Sequence, residues 1–533
     1  MISTEDSSHS TSNFDAIIIG SGHNGLGLAC YLSKTGLNVL VCEAESKVGG
    51  YLKTEEVIPG YKHSLHAINI GTFPPFYNDF DLIKYGTRLV KQDVELGLIM
   101  DKRGLVIHNE LPKVNFKNFS KFSEKDAKTL ETIHTKFHAT WLKEYYSPPI
   151  TQEERGVGLE KEDRIEWIRM CSMSPRELID ELFESEMVRL FSALRVMEEN
   201  IEGYILVSNR TKDEYQGTAD YLFKVLTDPR YVVPEGGSVE LALGLSRIVA
   251  AYGGSILTDA PVDSIIIRNG RAVGVRLTDG RMFNARKLVA CNVDIFMALK
   301  LIGEDNLDSK LVRGIHSVKL PDYGKFDLHI ASLEPPKYSD IDDQEINRSL
   351  NVFVGYDGMD DIDIHADEML KGKFPEKPSF HGGCPTLYDP TLAPPGKHTL
   401  WEWNFMSSKH AMNITETEAE DYKGRILSRW QEFAPNLTDE IILDSYPYYP
   451  RMWGSQGGTP SLSNGQYYNG RPTPELSGYR TPIISLYLCH SSCHPGATVR
   501  FGPCYNALTV IANDLGIKKW WSDPVPGSPF AKE

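Results

Sequence analysis

Phe14-Asp15-Ala16-Ile17-Ile18-Ile19-Gly20-Ser21-Gly22-His23-Asn24-Gly25-Leu26-Gly27-Leu28 decides the fold. The short β-branched apolar run 14–19 has the composition of a buried parallel strand. Glycines follow at 20, 22 and 25, residues 26–33 continue as an apolar helix, and Gly36 stands where that helix would end. A second apolar run, 37–42, ends at Glu43. Strand, glycine loop, helix, strand and acid in this order predict a dinucleotide-binding unit. Gly20 permits the tight turn out of the strand, Gly22 lets the backbone approach a pyrophosphate, and Gly25 lets helix and strand pack closely. The helix start, with His23 and Asn24 in its first turn, offers N–H groups and a partial positive charge to phosphates. Glu43 follows Gly25 by 18 residues, near the spacing of an acid that holds the adenosine ribose hydroxyls, and Ala44 stands beside it.

FAD and NAD share this fingerprint, and the next residues separate them. Glu43-Ala44-Glu45-Ser46-Lys47-Val48-Gly49-Gly50 resembles the extended Glu-x5-Gly-Gly motif of the glutathione reductase and amine oxidase class of FAD proteins. The resemblance implies that the cofactor is FAD and that Gly49, Gly50 and Tyr51 run beside its flavin end. That class usually carries Arg where Lys47 stands, and often Arg where Tyr51 stands.

The chain has 533 residues, enough for two or three intertwined lobes. Its net charge of −16 repels phosphate backbones, which argues against a nucleic-acid partner. No window approaches the roughly 18 apolar residues of a membrane-crossing helix. Residues 1–13 are Ser/Thr-rich and polar, without the basic start and apolar run of a signal peptide, and read as a disordered tail. Eight dispersed cysteines suit reduced thiols in a soluble, cytoplasmic protein.

Further along, 123–146 and 174–197 have helical patterns. Ser123 is an N-cap candidate, and Ser174-Pro175-Arg176-Glu177 carries a cap, an N1 proline and an acid at the third position. A helix is expected from Ser238 to about Tyr252, then strands at 255–257 and 262–267. A hairpin turn at Asn269-Gly270, a returning strand at 273–277, a turn at Asp279-Gly280 and a buried strand at 287–292 follow. Asp357, Asp360, Asp361, Asp363, His365, Asp367 and Glu368 miss the EF-hand spacing and read as a solvated loop.

This order closely resembles the second portion of the phytoene desaturase-like FAD oxidoreductases. In that family a segment equivalent to Ala260-Pro261-Val262 lies over the adenine, and the strand ending at Asn292 returns to the nucleotide domain. Near the C-terminus, 479–489 reads as a strand before His490-Ser491-Ser492-Cys493-His494-Pro495-Gly496-Ala497. This segment looks like the C-terminal flavin motif of phytoene desaturases and of the pyridine nucleotide-disulphide oxidoreductase domain proteins. On that likeness Pro495-Gly496 opens an apolar helix facing phosphate or flavin, and His494, Pro495 and Gly496 touch the cofactor. The resemblance covers roughly residues 14–516. Departures at His490 and at Ala497-Thr498-Val499-Arg500 imply a reshaped pocket, so carotenoid substrates are not carried over. Cys489, His490, Cys493 and His494 lack the second distant pair of a zinc site, and no metal is expected.

The expected fold is α/β, a Rossmann-type FAD-binding domain interleaved with a mixed α+β substrate domain. The first takes 14–75, 230–310 and 476–520, and the substrate-binding lobe takes 76–229 and 311–475. The family likeness implies a dehydrogenase or desaturase that moves hydride from a largely apolar, cyclic or polyene small molecule to flavin N5, with an external electron acceptor such as oxygen or a quinone. The alternatives are a flavin-dependent saturase or isomerase, or a non-catalytic binding protein like the Rab GDP-dissociation inhibitors. Tyr51, His66 and His494 are the candidate catalytic groups, a histidine acting as base with its ordinary pKa near neutral. His63 and Arg500 are further polar candidates near the flavin. Tyr446, Tyr448, Tyr449, Trp453, Tyr467 and Tyr468 surround Gly457-Gly458 and would wall an apolar substrate. Lys518-Lys519-Trp520-Trp521 is a weak sign of a membrane surface.

Overall fold

Apolar runs that are buried on both faces make parallel strands, and the first sheet gathers them from three distant parts of the chain. In this computed structural model it contains β1 (Ser12–Ile19), β2 (Val39–Cys42), β10 (Ser255–Leu257), β11 (Val262–Arg268), β12 (Arg271–Leu277), β13 (Met282–Cys291) and β19 (Leu486–Leu488). Their order is β10-β2-β1-β13-β12-β11, and β19 also pairs with β13. β1, β2, β10, β13 and β19 run parallel, while β11 and β12 form an antiparallel meander leading into β13. Ala16, Ile17 and Ile18 in β1 are fully buried. Helix α1 (His23–Lys34) crosses from β1 to β2, and its face between Asn24 and Ser33 is buried throughout. The structure describes residues 12–71, 74–109, 112–199, 203–219, 222–223, 226, 231–318, 324–450, 471–496 and 499–524. The tail before residue 12, Trp453, Gly457, Gly458, Tyr467, Tyr468, Ala497 and Thr498 lie outside these.

A second sheet contains β7 (Val94–Met100), β8 (Arg103–His108), β14 (Gly324–Ser332), β15 (Asn351–Val354), β16 (Phe380–Gly383), β17 (His398–Met406) and β18 (Ile442–Tyr448). Its order is β18-β14-β17-β16-β15-β7-β8. One face carries Phe326, Leu328, Ile330, Leu400, Val352 and Phe380 into a core shared with Tyr422 and Trp430 of the helix Glu416–Phe433. The opposite face looks toward the nucleotide-binding half. A hairpin, β3 (Thr54–Ile58) and β4 (Tyr61–Ser64), and a small sheet of β5 (Ile70–Gly71), β9 (Tyr231–Pro234) and β6 (Leu89–Val90) join the halves.

Several expectations need correction. β1 begins at Ser12, two residues into the stretch assigned to a tail. The helical pattern 174–197 is two helices, Pro175–Leu182 and Glu186–Glu199. The break is held by buried Asp126, whose carboxylate accepts the N–H groups of Glu184 and Ser185 at 3.0 and 2.8 Å. The acidic patch lies largely on a helix, Met359–Leu370, with Asp360 and Asp361 in its first turn, where the helix dipole favours acids. Within it Asp363 accepts from Ser208 Oγ and Asn209 N, both at 2.7 Å. The stretch 479–489 forms strand only over Leu486–Leu488. The rings of Trp520 and Trp521 face inward and pack against Tyr31 of α1, with centroids 5.8 and 6.2 Å away.

Candidate active site

The end of β1 and the start of α1 form one rigid corner. A Cβ at Gly25 would strike the carbonyl oxygen of Gly20 and lie 2.6 Å from Asn292 Nδ2, so only glycine fits. Asn292 donates from Nδ2 to the carbonyls of Gly20 and Gly22 at 3.2 and 3.4 Å. It therefore acts through the loop it holds in shape. Gly22 is the N-cap of α1, with no side-chain cap and no acid in the first turn. The first N–H groups of α1 are left for an anion, which fits the pyrophosphate of a dinucleotide. Glu43 closes the other side, accepting from Ser21 N at 2.8 Å and from Glu45 N at 2.9 Å. The segment leading to Val262 runs alongside, with Ala260 N donating to Glu43 O at 2.8 Å. Ala44 lies within this pairing. The donors and acceptors present fit the phosphate and ribose ends of FAD.

The Gly49-Gly50 turn lies on the glycine loop. Gly49 N donates to Ser21 O at 3.1 Å. Gly50 has φ +58°, and a Cβ there would sit 3.3 Å from Gly22 Cα. Tyr51 leaves this turn toward the second sheet and meets His66, ring centroids 4.6 Å apart. The C-terminal segment arrives beside α1: Cys489 N donates to Cys291 O at 2.9 Å, and Asn24 Nδ2 donates to Ser491 Oγ at 3.2 Å. His494 is buried, and its carbonyl accepts from Tyr479 Oη. Pro495-Gly496 does not open a helix: Gly496 N closes a turn onto Cys493 O at 2.8 Å, and the helix begins at Gly502. The overlooked signal was Pro503 in the first turn of that helix. Arg500 is buried against Gly71, where a Cβ would lie 2.7 Å from its side chain.

The inward face of the second sheet carries the groups that sequence reading missed. Directly opposed residues share a face. The register therefore makes one row of Tyr448, Asp327, Trp403, His381 and Phe353, and a second of Tyr446, His329, Trp401, Gly383 and Asn351. His66 Nε2 stands 3.4 Å from Tyr448 Oη, and His63 packs on His329 at 5.0 Å, which joins both rows to the Tyr51 end of the nucleotide site. Lys325 Nζ contacts Asp327 Oδ1 at 3.1 Å and lies 3.8 Å from the centre of the Trp403 ring. No sequence motif marks these residues.

Burial dominates the electrostatics. It pushes Asp327 up to about 7, offset in part by Lys325, and pulls Lys325 below its usual value. It lowers His63 to about 3. His66 falls well below its ordinary value through burial, with Lys325 and Lys53 adding to the effect, and His329 does so through burial and the nearby His63. The expectation of a histidine titrating near neutral pH therefore fails for His66, and Asp327 is the group poised there. Among the described residues no three His, Cys, Asp or Glu side chains form a metal-binding group.

Residues 18–85 match the family described as NAD(P)-binding Rossmann-like domain. Pyridine nucleotide-disulfide oxidoreductase domain-containing protein 2 of Mus musculus is 26% identical, over 94% of each chain. One of the polypeptides of the limonene dehydrogenase of Castellaniella defragrans is 24% identical over 96% of each. The lycopene-forming phytoene desaturase of a Paracoccus strain is 24% identical over 95% of this chain and 99% of its own. Wild-type putrescine oxidase bound to putrescine superimposes with a TM-score of 0.61 at 16% identity, over 95% of this chain and 99% of that one. Over nearly all of its length, the chain is thus a relative of the pyridine nucleotide-disulfide oxidoreductase domain-containing proteins and of the phytoene desaturases, on the fold seen in putrescine oxidase.

Proposed function

We propose that the chain is an FAD-dependent dehydrogenase or desaturase that takes hydride from a carbon of a largely apolar small molecule. The observation that carries this reading is the junction at Tyr51. The turn packed on Gly22 leads straight to His66, Tyr448 and the buried face of the second sheet. Similarity to a limonene dehydrogenase polypeptide and to a phytoene desaturase supports an apolar substrate. Bound FAD supplies a two-electron acceptor for the hydride.

The chain's own residues do the rest. The N-terminus of α1 holds the pyrophosphate and Glu43 the ribose. Trp401, Trp403 and Phe405 offer flat apolar surface that orients the substrate and excludes water. Asp327 is placed to take or give a proton near neutral pH, with Lys325 at 3.1 Å steadying its ionised form. The electrons leave through an external acceptor such as oxygen or a quinone. All eight cysteines are buried and none is in a disulfide, which supports a reducing, cytoplasm-like setting.

The test is the absorption spectrum of the purified protein before and after anaerobic addition of cyclic and polyene compounds. Bound oxidised flavin that bleaches with one of them is the expected result. Colourless protein that cannot be reconstituted with FAD overturns the proposal.

A further inference from the structure

The inward face of the second sheet is unlike a hydrocarbon site. Asp327 and His329 are fully buried, and Trp401 is 2% exposed. Neither ring nitrogen of His329 and neither indole N–H of Trp401 and Trp403 meets a hydrogen-bond partner among the described residues. Asp327 already has a partner in Lys325, whose Nζ lies 3.1 Å from its Oδ1, so the unmatched atoms of this face are the donors around the pair. Folded proteins pair the great majority of their buried polar atoms, so neighbouring unmatched donors call for a partner.

These groups are neighbours by register: Asp327 opposes Trp403 and His329 opposes Trp401 across β14 and β17. Asn351, also fully buried with both amide atoms unmatched, lies in the row of His329 and Trp401, two strands beyond β17. From His329 to Asn351 the row spans three strand spacings, about 14 Å, too far for one edge of a single ring system to serve. The set near β14 and β17 is rich in donors, with two indole N–H groups and an imidazole, and so calls for an acceptor oxygen.

Resting on the oxidoreductase reading above, we infer that the substrate is not a bare hydrocarbon. It carries a carbonyl or hydroxyl oxygen that accepts from the donors His329, Trp401 and Trp403, while its apolar remainder lies against Phe353 and Leu98. A hydrocarbon in this place would leave the donors unmatched and lose their share of binding. The oxygen function fixes which carbon faces the flavin end, so these residues determine specificity and position.

Titration calorimetry on the whole protein tests this with matched pairs: limonene against its ketone carvone, and β-carotene against its diketone canthaxanthin, the latter pair in detergent. One hydrogen bond gained corresponds to about tenfold in affinity. At least one ketone should bind tenfold or more tightly than its hydrocarbon. Trp401→Phe and Trp403→Phe should each bring that ratio below about threefold. Trp401→Phe keeps an aromatic side chain and removes the donor together with the smaller ring, and the less buried Trp403→Phe reads the effect if Trp401→Phe fails to fold. Equal affinities within both pairs, as when water or FAD alone serves these groups, overturn the inference, and so does a preference that both variants retain. Flavin bleaching by the hydrocarbon alongside equal affinities would leave the oxidoreductase reading standing. Loss of FAD binding would sink that reading while the calorimetric ratio still judges this one.

Discussion

Ser21 N donates to Glu43 Oε2 at 2.8 Å, fastening the acid at the end of β2 to the glycine loop at the end of β1. The second oxygen of the same carboxylate accepts from Glu45 N at 2.9 Å. The carboxylate is therefore oriented before any ligand arrives, and ordering it costs the bound state little. Glu43→Ala should weaken FAD binding about ten- to a hundredfold, the effect of removing hydrogen bonds to a charged group. Flavin retained after ultrafiltration measures it. An unchanged flavin content would show that Glu43 only braces the loop.

Gly25→Ala places a methyl group against Gly20 O and Asn292 Nδ2. The β1–α1 corner cannot widen without losing the Asn292 bonds to the loop carbonyls. We expect a loss of about 1–3 kcal/mol in stability, or failure to fold, together with loss of flavin. Gly314→Ala is the control. It lies in the helix Ser309–His316 with nothing within 4 Å of its Cβ position, so alanine should leave the melting temperature unchanged or slightly raised.

The nucleotide site was legible because its signals are local. Glycine spacing, the apolar runs beside it and Glu43 all lie within 14–50. The N-caps were legible for the same reason: Ser123 Oγ accepts Asp126 N at 3.1 Å, and Ser174 exchanges bonds with Glu177 as its spacing predicts. The break at Phe183 was hidden because Asp126, from another helix, supplies the partner for Glu184 and Ser185. The second-sheet face was hidden for a deeper reason. Lys325-Phe326-Asp327-Leu328-His329-Ile330 alternates polar and apolar residues, as does any strand with one wet face. Periodicity cannot tell a face turned to water from one turned to a ligand.

Trp521 is 5% exposed and packs near Tyr31, while Lys34 lies 4.2 Å from the centre of the Trp520 ring. The two indoles thus close the C-terminal strap over α1. Trp521→Ala should cost about 3–5 kcal/mol, read as a lowered urea midpoint. The double change Lys518→Gln and Lys519→Gln should leave the protein in the supernatant with anionic lipid vesicles, like the unaltered chain. Vesicle binding that depends on these lysines would support membrane contact.

His63 carries the clearest pH signature. Its ring is 3% exposed, packs 5.0 Å from His329, and is held to a pKa of about 3 by burial, against 6.5 in the unfolded chain. The folded form is neutral, so below pH 6.5 protons bind the unfolded chain preferentially. The stabilising contribution is full above 6.5 and is lost as pH falls toward 3, at about 1.4 kcal/mol per pH unit. Between pH 7.5 and 5.0 the single histidine should cost about 2 kcal/mol. His66 and His329 act in the same direction, and Lys325 and Lys53 beside His66 add to its effect. Urea melts at both pH values should show a smaller acid loss for His63→Gln than for the unaltered protein, by about that 2 kcal/mol. Identical losses would mean that the ring is protonated in the folded state, and that the pocket admits water or an anion to meet it.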